Sequence, residues 1–148
     1  MKKTISMLLV IFTFSLLFTI PASAKDTQTF QTEYLDNDEY FVTVIEEQVP
    51  ETTFSLFSVQ KSKNGSKTTT YYKNNKAQWA LKVQGTFSYN GSNSCATAAS
   101  ETLSYSVAGL SPSSKGSYTS GNAAIAYVTV NSVSRSVTLY CDKNGKLS

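Results

Sequence analysis

The sequence predicts an all-β protein, an antiparallel β-sandwich of about seven strands. Apolar and polar residues alternate with a period of two in almost every ordered segment, which is the pattern of half-buried strands. Turn-forming residues separate these segments, and no stretch shows convincing helical periodicity. A small β-barrel is the alternative arrangement of the same strands.

The clearest strand covers residues 77–89. Gly85 falls on its apolar face and indicates a bulge or a bend. The residues predicted to face the core are Trp79, Leu81, Val83, Phe87 and Tyr89. The other candidate strands are residues 40–46, 54–60, 67–72, 102–107, 123–130 and 136–141.

Turn chemistry accounts for the connections between these strands. Asn64-Gly65 and Asn90-Gly91 supply residues that tolerate positive φ, and residues 73–76 form a polar hairpin. Residues 96–101 fit either a short helix or the start of a strand. The Ser- and Gly-rich residues 109–122 are expected to form a loop, the most mobile part of the domain.

The amino-terminal residues predict export. Lys2 and Lys3 precede an apolar run at residues 5–20, and the small residues 22–24 (Ala-Ser-Ala) follow Pro21. We therefore expect a signal peptide cleaved after Ala24 and a secreted, extracellular protein with no membrane span after cleavage. An uncleaved membrane anchor is the alternative, since the apolar run at residues 5–20 approaches the length of about 17 to 25 residues that spans a bilayer.

Cleavage divides the chain into a signal peptide, residues 1–24, and a single domain, residues 25–148. The domain has 11 basic and 10 acidic residues, and this balance does not indicate nucleic-acid binding. Charge is segregated, however. Residues 25–51 carry a net charge of −7 and residues 52–148 a net charge of +8.

The acidic segment, residues 25–51, is expected to form one or two strands against a basic face. Its Tyr40, Val42 and Val44 are predicted to enter the core. A removable pro-segment is the alternative. The basic face would include some of Lys67, Lys73, Lys76 and Lys82.

Two cysteines and no histidine occur in the chain. In an exported protein, this predicts a disulfide between Cys95 and Cys141. Trp79 would pack around it together with the inward residues Val137 and Leu139. Because Trp79 precedes both cysteines, the sandwich is expected to be immunoglobulin-like in architecture but not necessarily in topology.

Four blocks of the chain resemble a family of small secreted proteins from Gram-positive bacteria of the Firmicutes. They are EYLDNDEYFVTVIEE at residues 33–47, WALKVQGTFSYNGSNSC at 79–95, SGNAA at 120–124 and VTLYCDKNGKLS at 137–148. The most specific element is the terminal C-D-K-N-G-x-L-S. The resemblance implies a Gram-positive source and an intact domain, and it brings no catalytic residues.

Enzymatic chemistry finds little support in the residues. Ser and Cys triads need a base, and the chain has no histidine. We expect no cofactor and no metal, because Asp36 and Asp38 match a calcium loop only in part and fit a turn better. The carboxylates available for glycoside hydrolysis are Asp36, Asp38, Glu39, Glu46, Glu47, Glu51 and Glu101, and nothing in their spacing singles out an acid and a nucleophile.

Tyrosines offer the other functional indication. Tyr71 and Tyr72 are adjacent on one strand, so their rings face opposite sides of the sheet, and an exposed ring would stack on a sugar. The first functional prediction is a non-catalytic interaction module that binds a protein or a cell-envelope partner through sheet edges and the Ser-rich loop. Binding of a cell-wall glycan through Tyr71 or Tyr72 is the second, and a secreted antibacterial polypeptide is the third. A row of exposed aromatics would favour the glycan, and an open edge would favour a protein.

Overall fold

The computed structural model of the protein describes residues 28–36, 38–48 and 60–148. These residues form eight β-strands. They are β1 (Gln28–Asp36), β2 (Glu39–Glu47), β3 (Lys61–Lys73), β4 (Lys76–Tyr89), β5 (Ser94–Tyr105), β6 (Pro112–Ser120), β7 (Ala123–Val130) and β8 (Val133–Tyr140).

The strands build two open antiparallel sheets, of order β1-β2-β3-β4-β5 and β6-β7-β8. This confirms the predicted sandwich over the barrel. Within the described residues, strands that are hydrogen-bonded to each other are also consecutive in the sequence, so each sheet is a meander and not a Greek key. The likeness to an immunoglobulin domain is therefore one of architecture alone.

The hydrophobic core lies where the small sheet covers β3, β4 and β5. Seven of the residues predicted from alternation to face the core are buried there: Trp79, Leu81, Val83, Phe87, Tyr89, Val137 and Leu139. β1 and β2 extend past β8, so the large sheet overhangs the small one at this side.

Two of the predicted connections between strands are wrong. Asn64-Gly65 is no turn, because it lies inside β3, where Gly65 pairs with Gly85 of β4. The predicted loop at residues 109–122 contains β6, whose Ser-rich residues lack apolar alternation but pair with β7 along their length. The hairpin at residues 73–76 is confirmed.

The other strand predictions fall into three groups. Residues 40–46, 67–72 and 77–89 lie within β2, β3 and β4, and residues 123–130 match β7. The predicted strands at residues 102–107 and 136–141 overlap β5 and β8 but run past the ends of these strands at Tyr105 and Tyr140. Residues 96–101 belong to β5, which settles the choice between helix and strand in favour of strand. The candidate strand at residues 54–60 lies outside the described residues except for Gln60.

The acidic segment forms β1 and β2, paired with each other and with β3. Among the four proposed lysine partners, Lys73 bonds to Glu39 and Lys82 to Glu46, at 2.8 and 3.4 Å. The inward assignment of Tyr40, Val42 and Val44 is wrong.

The inward residues of β2 are instead Phe41 and Thr43, which are buried. Alternation has a period of two, so a shift of one residue exchanges the two faces. Phe41 packs its ring against Tyr71 and Trp79, at centroid distances of 5.4 and 5.9 Å. Thr43 shares a buried hydroxyl–hydroxyl bond of 2.9 Å with Thr69.

The predicted disulfide is not formed, and Cys95 and Cys141 are both free thiols. The two backbones approach each other, since the Ser94 hydroxyl donates to the Cys141 carbonyl at 2.7 Å. Strand alternation then turns Cys95 toward solvent, whereas Cys141 is fully buried. Side chains that point in different directions cannot be bridged without backbone movement.

The C-terminal motif folds back onto the sandwich and contributes to the core. The Asp142 carboxylate accepts bonds from the backbone N–H groups of Asn144 and Lys146, both at 2.8 Å. This turn brings Leu147 into the core, where it is 5 % exposed and lies directly against Gly65.

Electrostatic contacts fasten the same turn to the neighbouring strands. The Lys63 ammonium donates to the Gly145 carbonyl and to the Glu47 carboxylate, both at 2.8 Å. Glu47 also accepts the Leu147 N–H at 3.3 Å. The residues of the terminal motif C-D-K-N-G-x-L-S thus have a structural role in the fold.

Candidate binding surface

Three tyrosines lie in one row across β1, β2 and β3, on the face of the large sheet that points away from the small sheet. The strand register places Tyr34 opposite Tyr40 and Tyr40 opposite Tyr72. Ring centroids are 5.7 Å apart in the first pair and 4.9 Å in the second. We call these residues the tyrosine row.

Two of the three rings in the tyrosine row are stacked, and the third is tilted against its neighbour. Tyr40 and Tyr72 are almost parallel, with 3° between their planes, and so are stacked on each other. Two rings lying side by side in one plane would overlap at a centroid distance of 4.9 Å. Tyr40 and Tyr72 therefore each cover one face of the other ring. Tyr34, 75 % exposed, is the most accessible member of the row.

Of the two tyrosines predicted to contact a ligand, Tyr71 is buried, which corrects that assignment. Its ring packs against Phe41 and Trp79. Burial and the Glu39 carboxylate raise the pKa of Tyr71 to about 12. Tyr72 lies on the opposite face, as alternation requires, and is half-buried.

β1 forms one edge of the large sheet and has no second neighbour among the described strands. From residue 29 to residue 36, every side chain is exposed, on both faces of the strand. Three of these side chains are large and apolar: Phe30, Tyr34 and Leu35, with 66 %, 75 % and 50 % exposure. We call this strand the open edge.

The open edge is fixed to the body of the domain by Arg135 of β8. Its guanidinium lies over the Phe41 ring, 4.4 Å from the centroid, and donates to the Glu33 carboxylate at 2.8 Å. The hydrogen bond and the positive charge hold the pKa of Glu33 below its usual range. This contact spans the overhang and orients β1 even though the small sheet does not cover it.

A shallow groove of about 270 Å³ lies on the same outward face, nearer the Gly65 end of β3. Its polar side chains are uncharged amides and hydroxyls, which both donate and accept hydrogen bonds. They belong to Gln48, Asn64, Ser66, Gln84, Thr86 and Ser100.

The carboxylates considered for catalysis are spread over the molecule. Glu39, Glu46 and Glu47 bond to lysines of β3 and β4, and Glu101 lies 3.8 Å from Lys115. Glu51 lies outside the described residues. Within the part of the chain that the structure describes, no group of three His, Cys, Asp or Glu residues could hold a metal ion.

Sequence reasoning missed most of this surface. It singled out Tyr72 but neither Tyr34 nor Tyr40 as a ligand contact, because neighbours across strands follow from register and not from spacing along the chain. It placed β1 only loosely, within an acidic segment. The alternation of Phe30, Thr32 and Tyr34 on one face was the available signal.

Comparison with known protein families, curated proteins and solved structures gave no match to this chain. Among the described residues, no helix is long and apolar enough to cross a membrane.

Proposed function

We propose that this protein is a non-catalytic interaction module that binds a protein partner along the open edge. The observation that carries the proposal is the exposure of β1 on both faces and along its edge, with three large apolar side chains. Natural proteins usually shorten, charge or cover such strands, because an unpaired edge is a template for another strand. A conspicuously exposed one is typical of a binding site.

The binding mode that fits this edge is addition of a strand to the sheet. The outward N–H and C=O groups of β1 would supply the backbone hydrogen bonds, and alternate side chains would supply specificity. Phe30, Thr32 and Tyr34 contact the partner on one face, and Gln31 and Glu33 contact it on the other. Arg135 holds Glu33 and so preorganises the strand before the partner arrives.

The proposal also places the protein outside the cell. Its support is the amino-terminal pattern of two lysines, an apolar run and Ala-Ser-Ala at residues 22–24. Mass spectrometry of the secreted protein tests this, with a mature start at Lys25 expected. A start near Thr52 would remove β1 and β2 and contradict both the location and the binding mode.

Matched surface variants test the binding mode. Phe30→Lys places a charge on the open edge, and Tyr118→Lys places one at a tyrosine, 52 % exposed, on β6 of the other sheet. Each purified variant is immobilised and exposed to culture medium and to cell-wall extract of the producing strain. We expect specific proteins to be retained by wild type and by Tyr118→Lys and lost from Phe30→Lys. Equal retention by all three would refute the edge as the binding surface.

Glycan binding is the second candidate, and the tyrosine row with the polar groove on the same face favours it. The stacking of two of these rings weakens this candidate, because a sugar stacks on an open ring face and Tyr40 and Tyr72 cover each other. Sedimentation with insoluble peptidoglycan tests it. If the glycan is the ligand, Tyr34→Ala loses binding and Tyr140→Ala, at an exposed tyrosine of β8, retains it. Absence of binding by wild type would eliminate this candidate.

A further inference from the structure

We propose that the partner at the open edge is a second copy of this chain, paired β1 to β1 in antiparallel register with Thr32 opposite the partner's Thr32. This inference rests on the proposed function and names its partner. The pairing joins two five-stranded sheets into one continuous sheet of ten strands about a two-fold axis. Such an interface is closed, because each copy uses the same strand once.

Symmetry limits the registers that are available. A two-fold axis perpendicular to the sheet keeps both outward faces on the same side, so outward residues of one copy must lie opposite outward residues of the other. The axis therefore lies midway between one residue of β1 and the same residue of the partner, and not level with the peptide bond between two residues. Thr32 is the middle residue of Gln28–Asp36, so centring there gives the longest overlap of the two strands.

The register centred on Thr32 is also the one that matches the exposed side chains. It places Phe30 opposite the partner's Tyr34, and Tyr34 opposite the partner's Phe30. Aromatic pairs directly across two strands stabilise a sheet. The tyrosine row then continues across the axis, so both exposed rings gain a neighbour on the side that is open in the single copy.

Charge favours the same register. Glu33 lies opposite the partner's Gln31, whose amide can donate to the carboxylate, and no acid faces an acid. Centring one residue later would set Glu33 against the partner's Glu33, two like charges directly opposite. The shift in register at the end of β1, between Tyr34 and Asp36, leaves Phe30 to Tyr34 as the regular part that pairs.

The dimer is expected to be weak. Nine residues give an edge only about 30 Å long at about 3.4 Å per residue. A single strand edge of this length buries less than the standard interface of about 800 Å² per partner. Association is therefore expected at micromolar to millimolar protein, where locally concentrated molecules would pair and dilute ones would not.

Opposite charges introduced at residue 32, which lies next to the two-fold axis, test the pairing. Self-association is measured by sedimentation equilibrium over a dilution series of the mature protein. Thr32 is exposed, so Thr32→Lys and Thr32→Glu are tolerated by the single copy. In the proposed register, residue 32 faces itself. Each variant alone should lose self-association at least about tenfold relative to wild type, and an equimolar mixture should regain it. Thr102→Lys, on the outward face of the opposite edge strand β5, should associate as wild type does.

Each outcome decides the inference. A wild type that stays monomeric at millimolar protein overturns it, and so do Thr32 variants that associate undiminished or whose mixture fails to recover. Circular dichroism of each variant shows whether it folds. If wild type forms no dimer but Phe30→Lys still abolishes capture of other proteins, the second copy is refuted as the partner and the proposed function stands. Insensitivity of capture to Phe30→Lys would refute the function separately.

Discussion

Leu147 and Gly65 are predicted to depend on each other. Leu147 is the penultimate residue, yet it is 5 % exposed and part of the core. A Cβ atom added at Gly65 would clash with the Leu147 Cδ1 atom, so the glycine in the middle of β3 makes room for this side chain. The C-terminal turn that starts at Asp142 holds Leu147 in place.

Leu147→Ala should lower the free energy of unfolding by about 2 to 3 kcal/mol, the lower part of the range for buried leucine, because the largely exposed turn around residue 147 can relax into the space. Gly65→Ala should cost about 1 to 3 kcal/mol by forcing Leu147 outward. The double variant should lose at least about 1 kcal/mol less than the sum of the two, because the shortened side chain at position 147 leaves room for the new methyl group.

Urea unfolding followed by tryptophan fluorescence measures all four proteins of this cycle. Trp79 is buried among Phe41 and Tyr71 and reports loss of the core. Lys146→Ala, at the exposed neighbouring residue, is the control and should change stability by less than about 0.5 kcal/mol. Additive losses in the double variant, or a Leu147→Ala loss no larger than the control, would refute the packing of Leu147 on Gly65.

Three further predictions concern titratable side chains. Native protein should react with a thiol reagent at Cys95 at once and at Cys141 only after unfolding, and an intact mass two hydrogens lower would show a disulfide instead. In an absorbance titration of the folded protein, Tyr71→Phe should remove one tyrosine that ionises near pH 12. Folding raises the Tyr71 pKa from 10.0, so the stability that the protonated hydroxyl contributes is present below about pH 10 and is lost as the pH rises through 12. Lys67→Met should raise the melting temperature at pH 7. Burial and the charge of Arg135 lower the Lys67 pKa, which means that the charged ammonium is destabilised in the folded protein, and methionine removes this charge. An unchanged or lower melting temperature would contradict that reasoning.

The strands that sequence reasoning found are those with one apolar face. β4 and β7 alternate cleanly because one side of each packs in the core. β6 was mistaken for a loop because Ser and Thr occupy both of its faces, and its strand conformation is imposed by pairing with β7. Periodicity reports burial, so a strand that buries little gives little signal.

The predicted disulfide shows a second limit. Counting cysteines identified a possible pair, but the direction of each side chain depends on its own strand, and Cys95 and Cys141 alternate to opposite environments. Most of the candidate binding surface could not be predicted from the sequence for a similar reason. Tyr34, Tyr40 and Tyr72 meet only because two registers align them, and register is a property of the folded sheet.

Hydrogen exchange of the β1 backbone amides in dilute protein tests the central claim most directly, because the claim requires a strand that is paired on one side and open on the other. The account predicts alternation from Thr29 to Tyr34: amides that face β2 are protected, and those between them exchange almost as freely as in an unfolded chain. Uniform protection would show that the edge is already covered, and uniform exchange would show that β1 is not held on the sheet. Either result would contradict an open edge ready to bind.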